Sequence, residues 1–343
     1  MKFRNRRIAA LAAVAISASL GLTACGGSDS GGGSSASGGG GKTSVTFLPK
    51  NLGNPYFDTS DAGGKKAVGE FKGTYKEVGP DAASPDAQVP FINTAAQQGV
   101  SALVVSANDP KAICDALNEA RSAGTKVVTF DSDTDPSCRD LYVNQATAEG
   151  IAKVQVDEIA KQIGDSGEIA ILSAAANATN QNAWIDLMKK DLAAHPNIKL
   201  VDTVYGDDDD QKSFDQTSAL LQKHPQLKGI ISPTTVGIAA AARYLSTSSS
   251  KGKVALTGLG TPNQMREYVK DGTVTSFALW NPEDLGYLAA YAADALVKGE
   301  ITGKGGDKFT AGKLGEFTVA ADHSVLLGDP FVFTKDNIDQ FKF

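Results

Sequence analysis

From residue 44 onward, short runs of β-branched and apolar residues alternate with longer segments whose apolar positions recur at helical spacing. The runs at 45–49, 75–78, 102–106, 126–131 and 140–143 predict strands, and the segments at 58–71, 85–98 and 110–123 predict the helices between them. A second series comes after them, with strands predicted over 168–173, 199–205, 229–232, 254–258 and 274–279. Its helices are predicted over 146–163, 181–194, 211–223, 237–245 and 262–270. Strand and helix in strict alternation imply a parallel sheet covered on both faces, so the fold class is α/β with two doubly wound lobes. A last helix over 282–298, a Gly/Lys-rich stretch over 299–308 and short strands near 316–319 and 331–333 close the chain.

The first 42 residues have another pattern. Lys2, Arg4, Arg6 and Arg7 precede an apolar stretch over 8–22 that is too short to cross a bilayer, which is the layout of a cleavable export signal over 1–24. The sequence Leu22-Thr23-Ala24-Cys25 resembles the lipobox of bacterial lipoproteins, which implies acylation of Cys25 and a mature chain starting there. An ordinary secretory signal with Cys25 as a free thiol is the alternative. Residues 25–42 are almost all Gly and Ser after the cysteine, a flexible coil that holds the folded part about 20 to 25 Å from the lipid.

Composition narrows the function. A hydrophobic content of 41% with 21% charged residues is that of a globular protein, and the net charge of −6 disfavours nucleic acid as a partner. Setting Cys25 aside leaves Cys114 and Cys138, an even pair in an oxidising compartment. Each lies seven or eight residues past a predicted strand end, so neighbouring strands would bring them together as a disulfide; two buried free thiols are the alternative.

Ligands of open parallel sheets sit beyond the carboxyl ends of the strands, which directs attention to 50–57, Asn108, Asp109, 131–133, Asn180, Gln181, 233–235, 258–261, Trp280 and Asn281. Lys50, after an apolar strand and before a Gly-Asn-Pro turn, can donate to ligand oxygens or be an ordinary solvated lysine. Tyr56, Phe57 and Trp280 can cover a sugar ring or merely close their domains. Asp131 suits acceptance of hydroxyl hydrogen bonds; paired with Asp133 it could instead serve acid/base work, and Asp133 or Asp135 can cap the next turn. From residue 42 on there is no G-x-S-x-G, no phosphate-binding glycine loop and no cluster of the three histidines, His195, His224 and His323, so the chain reads as neither an enzyme nor a user of cofactors. The run Asp207 to Asp210 lacks the Gly and Glu of a calcium loop and is expected to cap the helix after it; no metal site is expected.

The segments 47–57 (FLPKNLGNPYF), 105–110 (VSANDP), 130–138 (FDSDTDPSC), 142–145 (YVNQ), 180–184 (NQNAW), 231–233 (ISP), 260–266 (GTPNQMR) and 279–280 (LW) resemble the pentose/hexose-type periplasmic binding proteins. Within that family they are most similar to its autoinducer-2-binding and rhamnose-binding branches, and the likeness runs from about residue 44 to the end, cysteines included. The resemblance implies a ligand clamped between two lobes joined by three hinge crossings, expected at 144–147, 260–262 and 280–283. The lobes are then 43–145 plus 262–281 and 146–261 plus 282–343. By position it implies ligand contacts at Lys50, Asp131, Gln181 and Pro233. Asn180 and Thr235 occupy contact positions where the autoinducer-2 pattern has an acidic and a small apolar residue, and Phe57 and Trp280 complete the expected site.

The function expected is that of a monomeric, membrane-tethered solute-binding protein that captures a small sugar, a rhamnose-type deoxyhexose or autoinducer-2, by hinge closure and delivers it to the permease of an ABC importer. The alternative partner for the loaded protein is a membrane receptor in quorum sensing or chemotaxis.

Overall fold

A computed structural model describes residues 42–343; the export signal, Cys25 and all but the last residue of the 25–42 tether lie outside the described residues. The first lobe is built from β1 (Ser44–Leu48), α1 (Pro55–Glu70), β2 (Thr74–Glu77), α2 (Pro85–Gln97), β3 (Ala102–Val105), α3 (Cys114–Ser122), β4 (Lys126–Phe130) and β5 (Leu141–Asn144). These strands pair in parallel in the order β2-β1-β3-β4-β5. β3 is buried along its whole length, which is why Ala102 to Val105 reads as an unbroken apolar run rather than an alternation.

The second lobe repeats the plan with α4 (Ala148–Ile163), β6 (Gly167–Ser173), α5 (Thr179–Asp191), β7 (Ile198–Tyr205), α6 (Asp210–Lys223), β8 (Leu227–Ser232), α7 (Thr235–Thr247), β9 (Ala255–Gly258), α8 (Pro262–Lys270) and β10 (Ser276–Leu279). Its strands run β7-β6-β8-β9, again all parallel, and β10 joins β9 through the Leu259–Ala278 bridge. Both sheets therefore have the strand order 2-1-3-4-5, with a switch point beside the first strand of each.

The chain then returns through α9 (Pro282–Lys298), the β11 (Lys308–Thr310) and β12 (Glu316–Thr318) hairpin, β13 (Ser324–Leu326) and β14 (Phe331–Thr334). β13 extends the first sheet beside β5, and β14 pairs antiparallel with β10 of the second. α9 lies along α1, so closely that a Cβ on Gly63 would come within 1.9 Å of the Glu283 carbonyl oxygen and one on Gly286 within 1.8 Å of that of Ser60. Only glycine fits at either crossing point. Thr43 Oγ1 also donates to Asp294 Oδ1 at 2.7 Å, fastening α9 to the start of β1.

These contacts correct the lobe boundaries expected from the sequence. Residues 262–279 belong with the second sheet, and α9 through β13 belong with the first. The lobes are 42–144 plus 282–326 and 148–279 plus 331–343, joined at 145–147, 280–281 and 327–330. The expected crossing at 260–262 is absent: Gly260 N donates to Ala278 O at 3.1 Å within the second lobe. Strand and helix alternate unbroken through residue 281, so the pattern carries no mark of which sheet each element joins.

Cys114 and Cys138 are bonded, with Sγ atoms 1.98 Å and Cα atoms 5.2 Å apart. The bridge ties the start of α3 to the short 3-10 turn Pro136–Cys138 and settles the choice between disulfide and free thiols. The lobe carries this brace beside the loop after β4, on which Asp131 sits.

Candidate ligand-binding site

The carboxyl ends of the two sheets face a common cavity of about 370 Å³ including its mouth, lined by Lys50, Asn54, Tyr56, Phe57, Asp131, Asn180, Gln181, Trp184, Asp208, 233–235, Leu259, Leu279 and Trp280. All eight ligand contacts expected from the sequence, Lys50, Phe57, Asp131, Asn180, Gln181, Pro233, Thr235 and Trp280, meet there.

In the first lobe, Lys50 comes just after β1 and is only 4% exposed, which rules out the reading as a solvated surface lysine. Its loop is held from below: Asn108 Nδ2 donates to the Lys50 carbonyl at 2.9 Å, and the fully buried Gln88 donates to the carbonyls of Pro49 and Ser106 at 3.2 and 2.9 Å. Asp131 adopts a left-handed backbone, φ 60°, directly after β4. Ser106 Oγ donates to its Oδ2 at 2.7 Å, and Lys50 Nζ lies 3.9 Å from the same oxygen. Asp133 takes no part in the cavity. Arg139 grips it through two bonds of 2.7 and 2.8 Å, so it forms a structural ion pair rather than an acid/base couple with Asp131. Asp135 accepts from Ser137 N at 3.0 Å and caps its turn.

From the second lobe, Asn180 and Gln181 arrive on the first turn of α5, after β6. Gln181 Oε1 accepts from Ser173 Oγ and Ala174 N at 2.7 and 2.8 Å, which fixes the amide and leaves its NH₂ as the group available to a ligand. Asn180 Oδ1 accepts from Lys50 Nζ at 3.1 Å, a direct hydrogen bond between the lobes. Pro233 and Thr235 are both buried at the entry of α7.

Aromatic rings wall the cavity at the hinge. The Asn54-Pro55 pair starts α1, Asn54 accepting from Tyr56 N at 3.1 Å, and so places Tyr56 and Phe57 on its first turn. Asn281-Pro282 starts α9 in the same way, just after Trp280. Trp280 Nε1 donates to Tyr56 Oη at 2.9 Å, and the rings of Tyr56 and Trp184 meet Trp280 edge-on at 6.1 and 6.2 Å. Burial, with the Asp131 charge beside it, pushes the Tyr56 hydroxyl well above its ordinary value, so it remains a protonated donor.

Beyond the strand-end positions expected from the sequence, Trp184, Leu279 and Asp208 also line the cavity. Trp184 stood inside the segment that carried the resemblance, but its helical period gave it no special direction. The sequence groups Asp208 with its neighbours as part of a helix cap. The cap is Asp209, which accepts from Lys212 N at 2.7 Å, whereas Asp208 points into the cavity. Four successive acids offer no sequence signal to tell these apart.

The site offers donors and acceptors from both lobes around one cavity. Among the described residues no group of three or more His, Cys, Asp or Glu gathers as a metal site would require. Such an arrangement offers a polar molecule hydrogen-bond partners from both lobes.

The chain matches the periplasmic binding protein domain family over residues 45–301. Among solved structures, it is 56% identical to a sugar ABC transporter protein from Actinomyces odontolyticus, covering 88% of this chain and 98% of that one with a TM-score of 0.72. It is 39% identical to an ABC transporter solute-binding protein from Clostridium phytofermentas bound to L-rhamnose, with coverage of 88% and 98% and a TM-score of 0.85. LsrB from Clostridium saccharobutylicum, solved in complex with AI-2, is 29% identical, with coverage of 87% and 99% and a TM-score of 0.82. With this fold, this placement of the cavity and this extent of match, the chain belongs to the periplasmic binding protein family, as a solute-binding protein of the sugar ABC transporter type.

Proposed function

We propose that this protein captures a small neutral sugar, a deoxyhexose of the L-rhamnose type foremost, outside the cytoplasm and hands it to the permease of an ABC importer. The observation that carries this reading is the Lys50–Asn180 hydrogen bond between lobes, at the edge of a cavity to which both lobes contribute polar groups. A ligand stabilises the closed state only through contacts made on both sides, and this cavity supplies them. Lys50, Asp131, Asn180 and Gln181 hold the hydroxyl groups, Pro233 and Thr235 shape the second-lobe wall, and Phe57 and Trp280 cover the apolar face of the ring. Support for rhamnose comes from the 39%-identical L-rhamnose-bound relative, and the AI-2-bound LsrB at 29% makes AI-2 the second ligand to test. In this reading the lipid on Cys25 and the Gly/Ser-rich segment 25–42 tether the protein to the membrane.

Titration of tryptophan fluorescence, with Trp184 and Trp280 both in the cavity wall, tests the ligand: L-rhamnose is expected to give a saturable, sub-millimolar response. No response to L-rhamnose, other small sugars or AI-2 would sink the reading. For the tether, Cys25→Ala is expected to move a folded, binding-competent protein from the membrane to the soluble fraction.

A further inference from the structure

Asp207 to Asp210 form one acidic run, yet the structure gives its members separate duties. Asp207 pairs with Lys212, Asp209 caps α6, and Asp210 pairs with Arg243. Asp208 alone lines the cavity. It gets there through two consecutive left-handed residues, Asp207 at φ 55° and Asp208 at φ 52°, a backbone that aspartate tolerates better than most side chains but still at a cost. Thr234, whose hydroxyl would otherwise cap α7, donates instead to Asp208 Oδ1. Among the described residues, Oδ2 has no hydrogen-bond partner.

Of the side-chain amide and carboxylate oxygens that the second lobe brings to the cavity, this one alone lacks a partner among the described residues. Gln181 Oε1 is filled by Ser173 and Ala174, and Asn180 Oδ1 by Lys50 and Gln181 N. Asp208 Oδ2 is the carboxylate acceptor left on that side. Across the cavity the groups facing it are Lys50 and Asp131, with Asp207 on its own loop. Asp207 is paired with Lys212, so within the cavity the Lys50 ammonium stands between two carboxylates, Asp131 and Asp208, a balance that favours a ligand bringing hydroxyl donors and opposes one bringing a further negative charge.

We propose that Asp208 is a ligand contact and a specificity-determining residue of this site: its free oxygen accepts a hydroxyl of the bound sugar on the second-lobe side, and its charge excludes sugar acids. The inference rests on the sugar-binding reading above and adds to it the class of ligand, an uncharged polyol with hydroxyl groups directed at carboxylates on both lobes. Burial raises the Asp208 carboxyl above the ordinary aspartate value against the pull of Lys50. Accepting a ligand hydroxyl favours the ionised form, so affinity is full above that raised value and falls as pH drops through it.

Calorimetric titration with L-rhamnose, D-ribose, D-arabinose and L-rhamnonate tests the assignment on the wild type, Asp208→Asn and Asp207→Asn. Asparagine keeps the left-handed backbone, and thermal unfolding confirms that each variant folds. For the sugar bound most tightly, Asp208→Asn is expected to weaken binding by about 10- to 100-fold, as loss of a charged hydrogen bond does, while Asp207→Asn stays within about twofold. L-Rhamnonate binding is expected to improve in Asp208→Asn alone, and the fall in sugar affinity on acidification from neutral pH to shrink in that variant. Sugar affinity and pH profile in Asp208→Asn equal to wild type would overturn the inference and leave the sugar-binding reading standing; so would equal losses in both variants, which would mark a loop effect. A wild type that binds none of the sugars would overturn both.

Discussion

The two lobes share one strand order and differ in what they bring to the cavity. The first contributes Lys50 and Asp131, opposite charges held by a scaffold of buried amides and hydroxyls, Gln88, Asn108 and Ser106, and braced nearby by a disulfide. The second contributes amides, a hydroxyl and the unbalanced carboxylate of Asp208, positioned by helix entries and by one strained turn. Sheet topology alone therefore does not set the chemistry of a site. A preformed ion-paired face on one lobe can hold a ligand before closure, and the amides, hydroxyl and single carboxylate on the other can add the contacts that make closure favourable.

The widest separation between lobes should appear in binding. Asp131→Ala and Lys50→Ala each leave a buried charge without its partner and are expected to weaken L-rhamnose binding by about 100-fold or more, against about 10-fold for Gln181→Ala. Equal losses by calorimetry at the three positions would erase the division between the ion-paired face of the first lobe and the amides of the second.

Stability should separate next. Replacing Cys114 and Cys138 together with Ser is expected to cost about 2 to 4 kcal/mol in urea unfolding, all of it in the first lobe. Sugar affinity under folding conditions should change little. If affinity falls as far as in Asp131→Ala, the bridge holds the loop at Asp131 and not merely the lobe.

A smaller effect is expected at the hinge, where the lobes meet. Trp280→Phe removes the 2.9 Å bond from Nε1 to Tyr56 Oη and should weaken binding by about 5-fold, in line with one neutral hydrogen bond. Small-angle scattering of the ligand-free variant should show a larger radius of gyration than wild type; an unchanged radius with unchanged affinity would mean the bond does not bias closure.

The smallest effect belongs to the first lobe alone. Asp61 on α1 is buried, its Oδ2 lacks a partner, and burial with the nearby Glu77 raises its carboxyl well above the ordinary value. A carboxyl whose folded value is raised favours the folded state at low pH, and that contribution is lost as pH rises from the ordinary toward the raised value. Asp61→Asn should therefore raise the melting temperature by a few degrees near neutral pH, with the gain vanishing toward about pH 4. A gain that persists in acid would mean the carboxylate is not the source of the cost.

The sequence by itself determined the local structure and much of the site. Alternating apolar runs and amphipathic segments fix strands and helices because each must bury one face, and parallel order places every strand's carboxyl end at the same edge of its sheet. Residues just past those ends, from Lys50 to Trp280, were legible for that reason. Element starts shifted where a cap decided them: Asn54 and Pro55 begin α1 three residues before its apolar period does.

Only the tertiary structure decided which lobe receives each element and which of several like residues faces the ligand. α9 joins the first lobe because Gly63 and Gly286 let two helix backbones touch, a pairing between residues more than 200 positions apart that no local period records. Asp208 turns inward because Thr234 and a left-handed turn draw it there, while Asp207, Asp209 and Asp210 take partners on the surface. Local pattern fixes what a segment is. Long-range contacts, made only when the chain has closed on itself, fix what each side chain meets.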